Sequence, residues 1–255
     1  MKRMRLEKIN FAAVRERGNE TEQHRLAERT FQVLRPLYGH LTDAEYTTVL
    51  DYVIRDATPV VFRAIFMIDD RERDVGLIGV RIVETTHDGQ TVAYLTTSLG
   101  LHPEARGEKH STKLVWREML RYRLQHPLRP FFIIDTPISA ASYRKLHKGV
   151  AKIFPTPGQP IPDRLWPLCD AIATEKGWLP IAGCPKEARS INRPRTSLSI
   201  NDARPASPAY RAIQRWFDET TNGVVGSSVL IIIPITVSNM AMSILKQAKD
   251  YFYQK

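Results

Sequence analysis

Apolar residues recur along the first half of the chain with two different periods. From Glu20 to about Tyr38 they recur at helical spacing, which predicts a helix, and a second helix is predicted from Leu41 to about Ala57. Three runs rich in β-branched residues then predict strands over Val60 to Ile68, Val75 to Thr86 and Val92 to Leu101. The short polar segment His87 to Gln90 joins the last two runs, so we expect an antiparallel hairpin there.

Shorter elements are predicted after residue 129. Pro130 to Asp135 is a very apolar strand, and Ile138 to Lys148 is a helix. Five prolines between Phe154 and Pro167 predict an irregular loop, because proline interrupts helices and central strands. The remaining predicted elements are helices over Leu165–Gly177 and Pro208–Asn222, a loop over Ala182–Arg195 and a strand over Thr196–Asn201.

The segment from Asn222 to Leu245 carries no charged residue, and two interpretations are open for it. Its length matches the roughly 20 apolar residues that cross a bilayer, so it could attach the protein to a membrane. Alternatively, Ser228 to Thr236 is a buried strand and Ser238 to Tyr253 a helix. Serines within the segment and its β-branched isoleucine run favour the strand and helix.

The stretch from Thr91 to His126 carries the clearest functional signal. It reads as a strand, a turn that begins at His102-Pro103-Glu104, and an amphipathic helix that Ser111 or Thr112 could cap. A helix N-terminus offers unpaired N–H groups and a partial positive charge, which suit a phosphate. Arg106 and Lys109 add positive charge to the turn, so the stretch predicts an anion-binding site.

The run from Leu99 to Gly107 resembles the central motif of the GNAT superfamily of N-acyltransferases, a strand leading through V-x-P-x-x-R-G-x-G-x-G into a helix. Lys109 and Ser111 stand where that motif has its second and third glycines, and side chains there would crowd a phosphate. The resemblance implies that the turn holds the pyrophosphate of acyl-CoA and that the strand backbone pairs with the pantetheine arm. The donor-binding residues would then be Leu99, Gly100, Leu101, Arg106, Gly107, Glu108, Lys109, His110, Ser111 and Thr112.

The same resemblance suggests catalytic candidates. Tyr143 stands in a helix where the family commonly has a tyrosine that supplies a proton to the leaving thiolate, although a tyrosine merely packed on a helix fits equally well. The central strand carries no carboxylate, so the general base is sought in Glu84 on the preceding strand, or in His102 acting through a water. A solvated structural role is the alternative for each.

The chain has 37 Lys and Arg residues against 27 Asp and Glu, a formal net charge of +10. That balance favours an anionic partner, such as a nucleotide cofactor or an acidic carrier protein, or else a solvated basic surface. We find no specific nucleic-acid signature, and the seven histidines lack metal-ligand spacing, so no metal is expected. Cys169 and Cys184 form no disulfide framework, which favours a cytoplasmic location.

Together these features predict an α/β protein with a GNAT-like mixed, mostly antiparallel central sheet flanked by helices. Residues 1–155 would form the acyl-donor-binding core, and residues 156–255 a Pro-rich loop and C-terminal extension completing the same domain. The implied activity moves an acyl group from acyl-CoA or acetyl-CoA, or from an acyl carrier protein, to an amine on a small molecule or protein. A non-catalytic binding module with this fold and a membrane-attached protein are the alternatives.

Overall fold

The computed structural model describes residues 4–38, 58–105, 110–137, 139–191, 208–222 and 227–253. These residues divide between two compact units, and the division falls between Arg129 and Pro130. The predicted grouping of residues 1–155 as a core and 156–255 as its extension stays a prediction. The second predicted helix, residues 41–57, and the predicted strand over residues 196–201 lie outside the described residues.

The first unit is built on four antiparallel strands in the order β1-β2-β3-β4. The strands are β1 (Arg5–Asn10), β2 (Pro59–Ile68), β3 (Asp74–His87) and β4 (Gln90–Leu101). Helices α1 (Phe11–Glu16) and α2 (Glu20–Tyr38) lie between β1 and β2 in the chain, and α3 (His110–Gln125) follows β4.

Helices cover both faces of this sheet. One apolar cluster joins Phe11 and Val14 of α1 and Leu26 and Val33 of α2 to Phe62, Ala64, Phe66 and Leu77 of the strands. Helix α3 contacts β3 and β4, and Tyr122 of α3 bonds to Glu84, whose side chain points away from that cluster. Since β3 is covered on both sides, its residues from Val75 to Val83 are all buried. Its nearly continuous apolar run in the sequence reflects this double coverage.

The predicted hairpin between β3 and β4 is confirmed. Its two-residue turn is Asp88 and Gly89, whose φ angles of 48° and 72° both lie in the left-handed region. Turns of this kind match the twist of the flanking strands and favour glycine, because glycine adopts a positive φ without steric cost. Strand β1 and helix α1 were not predicted. Every residue of β1 is exposed or half-buried, so its polar and apolar positions give no clear alternation.

The second unit contains two small sets of antiparallel strands. Strand β5 (Phe131–Asp135) pairs with β9 (Ile231–Pro234), and β7 (Ala188–Ile191) lies between β6 (Trp178–Pro180) and β8 (Ser227–Val229). Its described helices are α4 (Ala140–Gly149), α5 (Trp166–Glu175), α6 (Pro208–Thr221) and α7 (Val237–Tyr253). Cys169 and Cys184 are both free thiols.

The uncharged C-terminal segment folds largely as buried strand followed by helix, as the sequence favoured. Two details differ from the prediction. The single predicted strand is two strands, because its first part (β8) pairs with β7 and its second part (β9) pairs with β5. Between them, the N–H of Leu230 donates to the carbonyl of Glu187 at 2.8 Å. Part of the predicted loop over residues 182–195 is strand β7. Within the described ranges, no helix is long and apolar enough to cross a membrane.

The predicted fold class is confirmed. The described chain is a mixed α/β protein whose strand pairs are mostly antiparallel and whose strands are flanked by helices. The connection from β4 to α3 is the part of this fold that the sequence marked as functional.

Candidate functional site

Strand β4 ends where the predicted anion-binding turn begins. The N–H of His102 donates to the carbonyl of Val75 at 3.0 Å, one residue beyond the end of β4. Pro103 to Ala105 then make one 3₁₀ turn, closed by a bond from the Ala105 N–H to the His102 carbonyl at 2.9 Å. Helix α3 begins at His110. The predicted donor residues Arg106, Gly107, Glu108 and Lys109 lie outside the described residues.

The predicted pantetheine-binding backbone, Leu99 to Leu101, forms the C-terminal end of β4. These three residues pair with Ile78, Leu77 and Gly76 of β3. In an antiparallel strand the N–H and C=O groups of successive residues point to alternate sides, so part of this backbone points away from β3. Pairing with a pantetheine arm on that side stays a prediction.

Gly100 has a packing role that the sequence did not indicate. A Cβ atom at this position would lie 2.6 Å from Cδ2 of Leu34 and 3.2 Å from Cδ1 of Leu37, both on α2. Such distances are shorter than normal carbon–carbon contacts. The absence of a side chain at Gly100 therefore lets α2 pack closely on β4.

His110, Ser111 and Thr112 form the first turn of α3. The predicted capping role of Ser111 or Thr112 is therefore wrong, because a cap precedes the first helical residue and both lie within the helix. The side chain of Ser111 is buried, that of His110 is half-buried and that of Thr112 is exposed. The first amides of an α-helix have no carbonyl partner within the helix, and their dipoles sum to a partial positive charge. The described start of α3 therefore has the polarity that an anion requires, directly after the predicted turn.

Glu84, the candidate base, is held by two donors. The hydroxyl of Tyr122 donates to its Oε1 at 2.7 Å, and Arg129 forms an ion pair with the same oxygen. Arg129 also donates to the Tyr122 hydroxyl at 2.9 Å. Burial, together with the bond to Glu84, raises the pKa of Tyr122 to about 12, so this phenol stays protonated at neutral pH. Neither Tyr122 nor Arg129 was predicted from the sequence as part of the site.

The structure does not bring Glu84 close to the predicted donor backbone. Glu84 lies opposite Ala93 in the β3–β4 register, six residues before Leu99 on β4. At about 3.3 Å per residue, that offset corresponds to roughly 20 Å along the strand. His102, the other candidate, lies with its Nε2 3.2 Å from the carbonyl oxygen of Val33, a contact in which the imidazole must donate.

Tyr143, the candidate acid, lies in α4 of the second unit and is fully buried. Its hydroxyl donates to the carbonyl of Pro155 at 2.7 Å. Its ring packs against those of Trp216 and His147, with centroid distances of 4.8 and 5.9 Å. Burial raises the pKa of Tyr143 and lowers that of His147. A role in protonating a thiolate stays a prediction, and it requires the hydroxyl to exchange its carbonyl partner for sulfur.

No metal-binding constellation is present in the described part of the chain: no three His, Cys, Asp or Glu side chains are grouped so that they could hold an ion. The buried thiol of Cys169 has its pKa raised to about 12, mainly by desolvation. A thiol of that pKa is protonated at neutral pH and is a poor nucleophile.

No family model matches the chain, and no curated protein matches it in sequence. Solved structures do match part of it. A conserved protein from Enterococcus faecalis, described as a probable N-acyltransferase, is 13% identical over 58% of this chain, with a TM-score of 0.39. The match covers 32% of that protein, so the chain spans about a third of its length.

Two further matches are acetyltransferases. A GNAT-family N-acetyltransferase from Escherichia coli, solved with CoA, is 16% identical over 58% of this chain and 72% of its own, with a TM-score of 0.34. An aminoglycoside acetyltransferase from an uncultured soil metagenomic sample, solved with sisomicin, is 8% identical over 56% of this chain and 84% of its own, with a TM-score of 0.37.

Proposed function

We propose that the chain is an N-acyltransferase that takes an acyl group from acyl-CoA and transfers it to an amine, with the donor bound at the β4–α3 connection. The observation that carries this proposal is the succession of strand, proline-initiated turn and helix from Leu99 to Thr112. The described residues before and after the turn are a strand and a helix, as the resemblance implies. The helix N-terminus at His110 carries a partial positive charge, which supports anion binding.

The proposed reaction is direct attack of the amine nitrogen on the thioester carbonyl. A carbon–nitrogen bond forms, the carbon–sulfur bond breaks, the amine loses a proton to a base, and the leaving thiolate gains one. Holding the amine and the thioester close together and correctly oriented supplies a large part of the rate enhancement in such reactions. In this proposal, the β4 backbone and the first turn of α3 hold the donor, and peptide N–H groups stabilise the oxyanion.

Glu84 and Tyr143 are the proposed proton-transfer residues, and their contacts set what each would have to do. The two donors to Glu84 both bind Oε1, and neither binds Oε2. A proton could therefore be accepted at Oε2, directly or through water. The Tyr143 hydroxyl is already a donor and is protonated at neutral pH, as a general acid must be.

The donor and acceptor are proposed only as chemical classes. The donor is an acyl thioester, with acetyl-CoA as the simplest form and an acyl carrier protein as the larger one. The net charge of +10 supports either, because CoA and carrier proteins are both anionic. The acceptor is an amine on a small molecule or a protein.

A second candidate is a binding module without catalysis. Three observations support it: Lys109 and Ser111 replace glycines of the motif, Glu84 lies far along the sheet from Leu99, and the Tyr143 hydroxyl already has a partner. Such a protein would bind the thioester and leave it intact.

Measuring the release of free thiol from acetyl-CoA distinguishes the acyltransferase from the non-catalytic binding module. The protein would be incubated with acetyl-CoA and a panel of amines, comprising a polyamine, an aminoglycoside and a short peptide. Glu84→Gln and Tyr143→Phe would be compared with Arg25→Gln, which removes an exposed charge from α2. We expect amine-dependent thiol release that Arg25→Gln retains and that at least one of the other variants lowers by 10²-fold or more. Binding of acetyl-CoA without release by any amine would favour the binding module.

A further inference from the structure

A basic cleft of about 380 Å³ opens between α3 and the edge of the sheet in the first unit. Its polar lining consists of Lys8 and Asn10 from β1, Arg63 from β2, and Arg117, Glu118 and Arg121 from α3. All six residues are described, and none of them belongs to the predicted donor turn. We refer to these six residues as the basic cleft.

The sheet register explains why these side chains meet. Asn10 lies directly opposite Arg63 in the β1–β2 pair, and Lys8 lies two residues before Asn10 on the same strand. Side chains two residues apart on a strand, or opposite each other on neighbouring strands, share one face of the sheet. Arg117 and Arg121 are four residues apart on α3, so they share one face of that helix.

Among the residues that the structure describes, the charges of the basic cleft are not balanced. Four cationic side chains line it together with one carboxylate, that of Glu118. The carboxylate of Glu118 is already paired with Arg117, whose Nε and one terminal nitrogen donate to its Oε1 at 2.8 and 2.6 Å. Within the described ranges, the side chains of Lys8, Arg63 and Arg121 form no ion pair or hydrogen bond. Three unpaired cations beside one cleft repel one another, and an anion would relieve that repulsion.

We propose that the basic cleft binds a small phosphorylated molecule through its phosphate groups, at a site separate from the acyl-donor turn. Guanidinium groups donate paired N–H bonds that match phosphate oxygens. The cleft offers two guanidinium groups, those of Arg63 and Arg121, that have no partner in the described part of the chain. Its volume falls within the range of small-molecule sites. Among the described residues, no aromatic side chain lines the cleft to stack on a base, so the phosphates are the recognised part of the ligand.

This inference does not rest on the proposed acyltransferase function. The β4–α3 turn and the basic cleft involve different residues, so each can be removed while the other is kept. A phosphate-bearing ligand bound between α3 and β1 would link the helix that follows the donor turn to the sheet edge.

The test is calorimetric titration of the full chain with inorganic pyrophosphate, and separately with ADP, at constant ionic strength. It would be run in the Arg106→Ala background, which removes the main charge of the predicted donor turn. Arg63→Gln and Arg121→Gln are the test variants, singly and together, and Arg25→Gln is the matched control. Neither arginine forms an ion pair with a described residue. We therefore expect the melting temperatures of the variants to lie within a few degrees of that of the parent. Lys8→Gln provides a further variant if either fails to fold.

We expect saturable pyrophosphate binding that weakens about tenfold with each single substitution and about a hundredfold with both, since each removes charge-assisted bonds to phosphate. Arg25→Gln should change it less than about twofold. Equal affinity for ADP would assign recognition to phosphate alone, whereas tighter ADP binding with the same variant dependence would assign it to a nucleotide. Binding that is absent, or unchanged by both test variants, would overturn the proposal.

Discussion

Arg29 provides the sharpest test of how the first unit is held together. It lies on α2, and its guanidinium donates to both carboxylate oxygens of Asp74 on β3, at 2.9 and 2.8 Å. It also donates to both oxygens of Glu7 on β1, at 3.2 and 3.0 Å, and lies 4.2 Å from the centroid of the Phe66 ring. The bond to Asp74 is the main cause that raises the pKa of Arg29, and burial opposes it.

The expected cost of Arg29→Met follows from the exposure of the three partners. The Arg29 side chain is 18% exposed, and those of Glu7 and Asp74 are 34% and 21% exposed. Removing one partner of a fully buried ion pair costs about 3–5 kcal/mol, whereas an exposed pair contributes about 0–1 kcal/mol. For this partly screened network we expect a loss of about 2–3 kcal/mol. In a chain of this size that corresponds to a melting temperature lower by roughly 4–12 °C.

Urea unfolding followed by circular dichroism measures this cost. Arg29→Lys is the control that keeps the charge and loses the planar fork, and it should fall between the parent and Arg29→Met. A double-mutant cycle with Asp74→Asn should give a coupling energy of at least about 1 kcal/mol. A loss below about 0.5 kcal/mol for Arg29→Met, or no coupling to Asp74, would refute this account of the network.

Three further predictions concern single residues. Arg73 holds the pKa of Asp69 at about 2, below its ordinary 3.8. The stabilisation from this pair should therefore be full above about pH 4 and lost as the pH falls towards 2, and an NMR titration of the Asp69 carboxyl checks this. Gly100→Ala forces the Leu34 side chain to move, and we expect a loss of about 1–3 kcal/mol in a denaturant titration. Tyr143→Phe leaves the buried Pro155 carbonyl without the hydroxyl that donates to it, which should lower the free energy of unfolding by about 1–3 kcal/mol. Thiol release measured below the melting temperature of the variant separates this loss of stability from a loss of catalysis.

The parts of the fold that the sequence predicted are those with strong local periodicity. Helix α2 and strands β2 to β4 lie close to their predicted bounds. The Asp88-Gly89 turn was recognised as part of a short polar segment between two β-branched runs. Strand β1 was missed, because it is a half-exposed strand whose pairing with β2 is set by residues more than 50 positions away. Local patterns contain no information about such a partner.

The candidate site was predictable as a segment and unpredictable as a set of contacts. The proline turn and the start of α3 could be read from consecutive residues. The bonds of Glu84 to Tyr122 and Arg129 join residues 38 and 45 positions apart, and no spacing rule connects them. Tyr143 is buried because Pro155 and Trp216 close around it from other elements, which its own helix does not indicate.

Whether the acyl donor binds at the β4–α3 connection can be measured by titrating the protein with acetyl-CoA. Isothermal titration calorimetry would compare the parent protein with Arg106→Ala and with Arg25→Ala, which removes an equal charge from the exposed face of α2. The proposed donor site predicts saturable one-to-one binding in the parent and in Arg25→Ala, and at least tenfold weaker binding in Arg106→Ala, since the arginine would donate charge-assisted bonds to the pyrophosphate. No binding in the parent, or equal binding in both variants, would contradict the assignment of the donor to the β4–α3 connection.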